Sequence, residues 1–269
     1  MIYKTLILDQ EQEIALLRLN RPEKLNALTS EMMDELHAAL SDIEAGTAHV
    51  LIVTGAGKAF CAGMDLSVLK QMSSEPSEPS QNAAPDPGVL ADSRRIAGLF
   101  RHIYTFSKPM IAAVNGHAVA GGCGIATLAD LTLAVPEAKF GYTEVRVGFM
   151  PAFVAPFLIR QIGEKRARDL LLTGRIIGAE EARQMGLVNE IVADGTLLDR
   201  AREIAAQMIA VSPTSLRYTK RLIGDFFQEE LDRKLEMGMQ ASTRIRGTCD
   251  FHEGLSAFLE KRKPRWKGL

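Results

Sequence analysis

The sequence offers few of the residues from which metal and disulfide sites are built. Cys61, Cys123 and Cys249 are odd in number and widely separated, so they make neither a disulfide framework nor a metal-ligand spacing. They read as buried thiols. The five histidines form no HExxH pair and lie near no carboxylate cluster, which excludes the common zinc patterns. A formal net charge of −1 supplies no global field for a nucleic-acid partner. No uncharged apolar run reaches membrane-spanning length. The opening "MIYKTLILDQEQE" lacks a basic region and a cleavage site, so a cytoplasmic protein with no membrane partner is expected. Phosphate-loop patterns are missing too: Gly57-Lys58 is followed by Ala59, and no GxGxxG occurs.

What remains is an ordinary globular composition, 46% apolar and 24% charged over 269 residues, enough for one large core with an appendage. Residues 2–8 and 13–19 are β-prone runs split by a polar turn. Thr29 can cap a helix whose Met33, Leu36, Leu40 and Ile43 recur at helical spacing. "HVLIVTG", "PMIAAVNG" and "LTLAV" read as buried strands with helices between them, which indicates an α/β class. Ser73 to Gly88, rich in Ser, Pro and Glu, is expected to be a surface loop. After Gly195 only helical patterns follow: Leu197, Ala201, Ile204, Ala205 and Met208 form one stripe. Ser212-Pro213 fits a helix start, and Asp250 with Glu253 fits a capping box. The expected organisation is a core over 1–195 and a helical segment over 196–269.

Two segments share a design in which an apolar strand enters a glycine turn that opens a helix: "VLIVTGAGKAFCAGMDL" and "MIAAVNGHAVAGGCGIATLAD". The first N–H groups of a helix lack internal partners, so such turns can hold an anion or a developing oxyanion. A third segment, "AKFGYTEVRVGFMP", sets the single acid Glu144 among apolar residues and glycines. Burying an acid there is costly unless it is used or paired.

Taken together, "RPEKLNAL", "KAFCAGMDL", "NGHAVAGGCG", "AKFGYTEVRVG", "LLTGRIIGAEEARQMGLVNEIV" and "FLEKRKPRW" resemble, in order and across nearly the whole chain, the crotonase superfamily of enoyl-CoA hydratases and isomerases. The bacterial 3-methylglutaconyl-CoA hydratase-like members are nearest in appearance. The resemblance implies a spiral of ββα repeats and a helical C-terminal segment that makes a homotrimer or dimer of trimers. It implies an acyl-CoA thioester as substrate and no separate cofactor, coenzyme A being part of that substrate. Carried over by position, Met64 and Gly121 would supply the backbone N–H groups of an oxyanion hole, and Glu144 the acid/base. Lys24, Leu25, Ala27, Ala62, Asp65, Leu66, Phe258 and Lys261 match positions that touch CoA. Gly122 and Gly124 would let the thioester come close.

One departure matters. Typical hydratases of this family use two glutamates, and the position of the first holds Gly124 here. Three readings follow: a hydratase in which Glu144 manages both water and proton, a Δ3,Δ2-enoyl-CoA isomerase with Glu144 as sole base, and a CoA-ester binder without catalysis. The hydratase is preferred. If "TEVRV" is extended, Arg146 shares a face with Glu144 and could pair with a carboxylate on a branched or carboxylated acyl chain. His117, Cys61, Cys123 and Asp130 are expected to be structural.

Overall fold

The computed structural model describes residues 2–72, 87–193 and 195–268. The Ser/Pro-rich stretch therefore lies outside the described residues, except that Pro87 and Gly88 already begin a helix. Three times, a buried strand runs through a short turn into a second strand. Val50–Gly55 (β3) leads to Ala59–Cys61 (β4), Met110–Val114 (β5) to His117–Val119 (β6), and Leu131–Ala134 (β7) to Lys139–Gly141 (β8). The first member of each pair joins one sheet and the second another. With Leu6–Glu11 (β1), Ile14–Leu19 (β2), Ile176–Gly178 (β9) and Glu190–Ile191 (β10), the sheet orders are β1-β2-β3-β5-β7-β10 and β4-β6-β8-β9.

Pairing is parallel except at the β1–β2 hairpin and at β8–β9. β3 and β5 are buried at every residue, as strands covered on both faces must be, which explains their unbroken apolar runs. Helices fill the crossovers: Ser30–Ala45 (α1), Leu66–Met72 (α2), Pro87–Thr105 (α3) and Gly121–Leu128 (α4), then Ala155–Ile162 (α5), Glu164–Thr173 (α6) and Ala179–Met185 (α7). This α/β fold repeats a ββα pattern, as the sequence suggested. The Thr29 hydroxyl accepts from Met32 N–H to start α1, whose Met33, Leu36, Leu40 and Ile43 are buried.

From Leu197 onward only helices occur: Leu197–Ile209 (α8), Pro213–Asp225 (α9), Gln228–Arg246 (α10) and Cys249–Leu259 (α11). Ser212 caps α9. The expected capping box at α11 is corrected. Thr248 is the cap, accepting from Phe251 N–H at 3.2 Å. Asp250 and Glu253 instead bind the basic tail, Asp250 through Lys267 N–H at 2.7 Å and Glu253 through the Arg262 guanidinium and Arg265 N–H. A threonine two residues earlier wins because the chain reaches it already extended, as a cap requires. Among the described residues no helix is long and apolar enough to cross a membrane.

Candidate active site

Each proposed oxyanion donor follows a residue with positive φ. Gly63 (φ 90°) precedes Met64, and Ala120 (φ 49°, ψ −123°) precedes Gly121. Glycine reaches that region freely. An alanine held there is strained by about 1–3 kcal/mol, a cost that the surrounding structure must impose. Ala120 N–H donates to Gly141 O at 2.7 Å, which ties the strained residue to β8.

The Met64 N–H is freed by pairing geometry. Leu28 N–H donates to Gly63 O at 2.7 Å and Asp65 N–H to Leu28 O at 2.9 Å, a parallel bridge that turns the N–H of Met64 itself away from Leu28. Gly121 is the first residue of α4, so its N–H has no intrahelical acceptor. The two turns touch: a Cβ placed on Gly63 would lie 2.9 Å from Ala120 Cβ and 3.7 Å from Gly121 N.

Both donors line a cavity of about 410 Å³. Leu28, Met33 and Met72 contribute to one wall, Ile96, Leu99 and Phe100 of α3 to another, and residues 149–154 to a third. Glu144 also lines it, placed by the short β8, the fully buried Tyr142 and a 3₁₀ turn over Glu144–Val147. Among the described residues Glu144 is the single carboxyl group in the lining. Its Oε2 is sealed from solvent with no hydrogen-bond partner, and burial pushes the carboxyl up to about 7.

Of the positions carried over from the resemblance, the cavity brings together Ala62, Met64, Gly121, Glu144, Arg146 and Phe258. Several others lie outside the lining. Lys24 and Leu25 are exposed on the Pro22–Lys24 turn, and Leu25 O accepts from Ala62 N–H at 3.0 Å, which ties this loop to the Gly63–Met64 turn. Ala27 is buried behind them, its carbonyl held by Arg21 at 2.6 Å. Leu66 and Lys261 are exposed.

Asp65, expected against CoA, caps α2 through Ser67 and pairs with Arg21 at 2.8 Å, and these bonds hold its carboxyl below the usual range despite burial. Gly122 lies directly on β4; an added Cβ would overlap the Cys61 carbonyl and lie 2.6 Å from Cys61 Cβ. Gly124 faces Phe100, whose ring would be 2.9 Å from its Cβ. The place of a first acid is thus filled by an aromatic ring.

Arg146 departs from expectation as well. The backbone is a 3₁₀ turn, in which residues two apart do not share a face, and Arg146 is exposed with its side chain packed over Gly174. It has no ion pair among the described residues. Cys61 and Cys123 are fully buried, and burial pushes both thiols up to about 12, which removes them as nucleophiles. His117 is exposed on β6, outside the cavity, and Asp130 pairs with Lys220 at 2.6 Å.

Sequence reasoning missed the clamp beneath the first loop. Asn26, fully buried, donates to the carbonyls of Ala56 (2.9 Å) and Ala59 (2.8 Å) while accepting from Arg21 N–H. An invariant-looking signal was absent because a lone Asn in a loop has many ordinary uses.

Comparison with known proteins places this arrangement in context. Residues 9–269 match the family described as enoyl-CoA hydratase/isomerase. A crotonyl-CoA hydratase of Syntrophomonas wolfei is 35% identical over 266 residues, covering 98% of each chain. A 2,3-dehydroadipyl-CoA hydratase of Escherichia coli is 36% identical over 268 residues, again covering 98% of each. Among solved structures, an enoyl-CoA hydratase/isomerase from Xanthobacter autotrophicus superposes with a TM-score of 0.85 at 30% identity, over 97% of this chain and 98% of that one.

Proposed function

Since the chain belongs to the enoyl-CoA hydratase/isomerase family, we propose that it hydrates an α,β-unsaturated acyl-CoA thioester with Glu144 as its acid/base. The observation that carries this reading is a lone, half-buried carboxyl group, one oxygen shut off from solvent, sharing one cavity with two free backbone N–H donors. The thioester oxygen would accept from Met64 and Gly121 N–H. Glu144, ionised, takes a proton from water as the water oxygen bonds to the β-carbon, and the π electrons move onto the thioester oxygen. The enolate then collapses, and the protonated Glu144 returns its proton to the α-carbon. Water has been added, and Glu144 is ionised again.

Magnitudes support this division of labour. One oxyanion donor is typically worth about 10² to 10³ in rate and positioned acid-base catalysis about 10² to 10⁴. A carboxyl near 7 is matched to giving and taking a proton at neutral pH. The apolar lining suits a short, branched acyl chain; the finer likeness read from the sequence, the 3-methylglutaconyl type, adds a terminal carboxylate, which needs a cationic partner.

A second reading, Δ3,Δ2-enoyl-CoA isomerisation, is favoured by Phe100 filling the space before Gly124, because one base suffices to move a proton between the α- and γ-carbons. Linear, branched and carboxylated enoyl-CoAs, with 3-enoyl isomers, incubated in heavy water and read by mass spectrometry, test both. Water addition is expected. Double-bond movement without added water would overturn the hydratase reading in favour of the isomerase. In this reading residues 196–269 join subunits into a homotrimer or dimer of trimers, supported by exposed apolar side chains on α9. The free thiols, two of them fully buried, support a cytoplasmic site.

A further inference from the structure

Behind the wall of the cavity lies a cation that the chemistry above does not use. Arg246, on α10, is 4% exposed, and among the described residues its Nε, Nη1 and Nη2 have no hydrogen-bond partner. Among the described residues its one carboxylate neighbour is Asp92 on α3, an ion pair at 3.7 Å from Nη1, beyond hydrogen-bonding reach, and Asp92 stands 3.8 Å from Arg95 as well. Arg95 is itself held by Asp34 at 3.1 Å. A guanidinium carries five N–H donors and does not give up its proton, so burial without a matched anion is costly.

Its surroundings are polar in a directed way. Ser242, one turn before Arg246 on α10, and Ser93, beside Asp92 on α3, are fully buried with their hydroxyl oxygens 3.5 Å apart. Ile96, one turn further along α3, lines the cavity. On the other side the guanidinium carbon stands 5.6 Å from the centre of the Phe149 ring, and Phe149 is part of the cavity lining. Phe149 N–H donates to Glu144 O at 3.0 Å, so one aromatic residue links the cation to the acid/base turn.

We infer that Arg246 is a specificity-determining residue that receives a carboxylate borne at the far end of the acyl chain, with the Ser93 and Ser242 hydroxyls as neighbouring donors. This rests on the thioester reading of the cavity given above. It also moves the carboxylate-recognising role from the exposed Arg146 to a buried arginine. Phe149 must turn aside for the two charges to meet, and a chain ending in a methyl group gives it no reason to do so.

The test measures binding of saturated thioesters by calorimetry: glutaryl-CoA and adipyl-CoA against butyryl-CoA and hexanoyl-CoA. Wild type is expected to hold the carboxylated chains more tightly. Arg246→Met should lower their affinity by at least about 10-fold more than that of the uncharged chains, with Arg246→Lys recovering part of the difference. Equal affinities in wild type, or an equal loss for both classes in Arg246→Met, would overturn the assignment. Should Arg246→Met fail to fold, wild type compared on each acid and its methyl ester decides instead. Saturated thioesters are not turned over, so failure of the hydratase reading would show separately, as no water added to any enoyl-CoA.

Discussion

A half-buried carboxyl group, with one oxygen shut off from solvent and unpartnered, costs the fold free energy whenever it is charged. Glu144 rises from about 4.5 to about 7 on burial. Its folded form therefore holds a proton that the unfolded chain has released, and between those values stability falls as pH rises. Above pH 7 the full difference is present, about 3 kcal/mol at roughly 1.4 kcal/mol per pKa unit. Glu144→Gln removes the charge. It is expected to unfold at higher urea than wild type at pH 8, with the two curves converging below pH 4.5. Turnover should fall by about 10² to 10⁴ in the same variant. Wild-type kcat/KM should rise with pH through about 7, as the base ionises. A Glu144→Gln protein no more stable than wild type at pH 8 would mean that the carboxyl is solvated. Glu144 was legible in the sequence because one acid in an apolar, glycine-bounded stretch asks for a reason. Arg246 was not, since "STRIRG" reads as a polar helix end until α3 folds against it.

At the scale of elements, the glycines of "AGGCG" part company. Gly121 opens α4 with a free N–H, while Gly122 lets that helix lie directly on Cys61 of β4. Gly122→Ala is expected to cost about 1–3 kcal/mol through overpacking, and to weaken thioester binding by shifting the Gly121 N–H. Unchanged stability in chemical denaturation, with binding lost, would instead give Gly122 a direct role. The Pro22–Lys24 loop and the Met64 turn are joined by the Arg21–Asp65 pair, both side chains largely buried. Asp65→Asn keeps a capping side chain but leaves Arg21 without its anion. A loss of about 3–5 kcal/mol is expected, measured by urea unfolding at neutral pH. The strands, the α1 cap and the two glycine turns that open helices could be read from local patterns of period, glycine and capping residue. "TEVRV" misled because its β-branched residues favour strand, whereas a turn ending on Gly148 (φ 69°) packs the chain against Asp250 and Phe251 of α11. Contacts made across more than a hundred residues leave no local signal.

For the molecule as a whole, α9 poses the largest unfinished account. It has no buried residue, although Leu216 and Ile223 line a second cavity that faces the core residues Leu128 and Phe157. Tyr218, Leu222 and Phe226, spaced four apart on another face, are 67%, 55% and 67% exposed. Three large apolar side chains in one row suit the subunit contact proposed above, because such rows are rarely left uncovered. A closed symmetric assembly would bury the row once per subunit, as the trimer implied by the family resemblance requires. Leu222→Glu places a charge at its centre, on a face where the isolated subunit meets only solvent. Light scattering should then give the mass of a single 29.4 kDa chain in place of a multiple of it, with the secondary structure retained by circular dichroism. If the wild-type chain already runs as a monomer, or if Leu222→Glu keeps the wild-type mass, this face does not join subunits. Phe258, 50% exposed and lining the candidate cavity, connects that result to function, because its helix α11 packs on α10, and α10 and α9 both pack on α3. Loss of assembly should therefore raise KM for the thioester more than it lowers kcat.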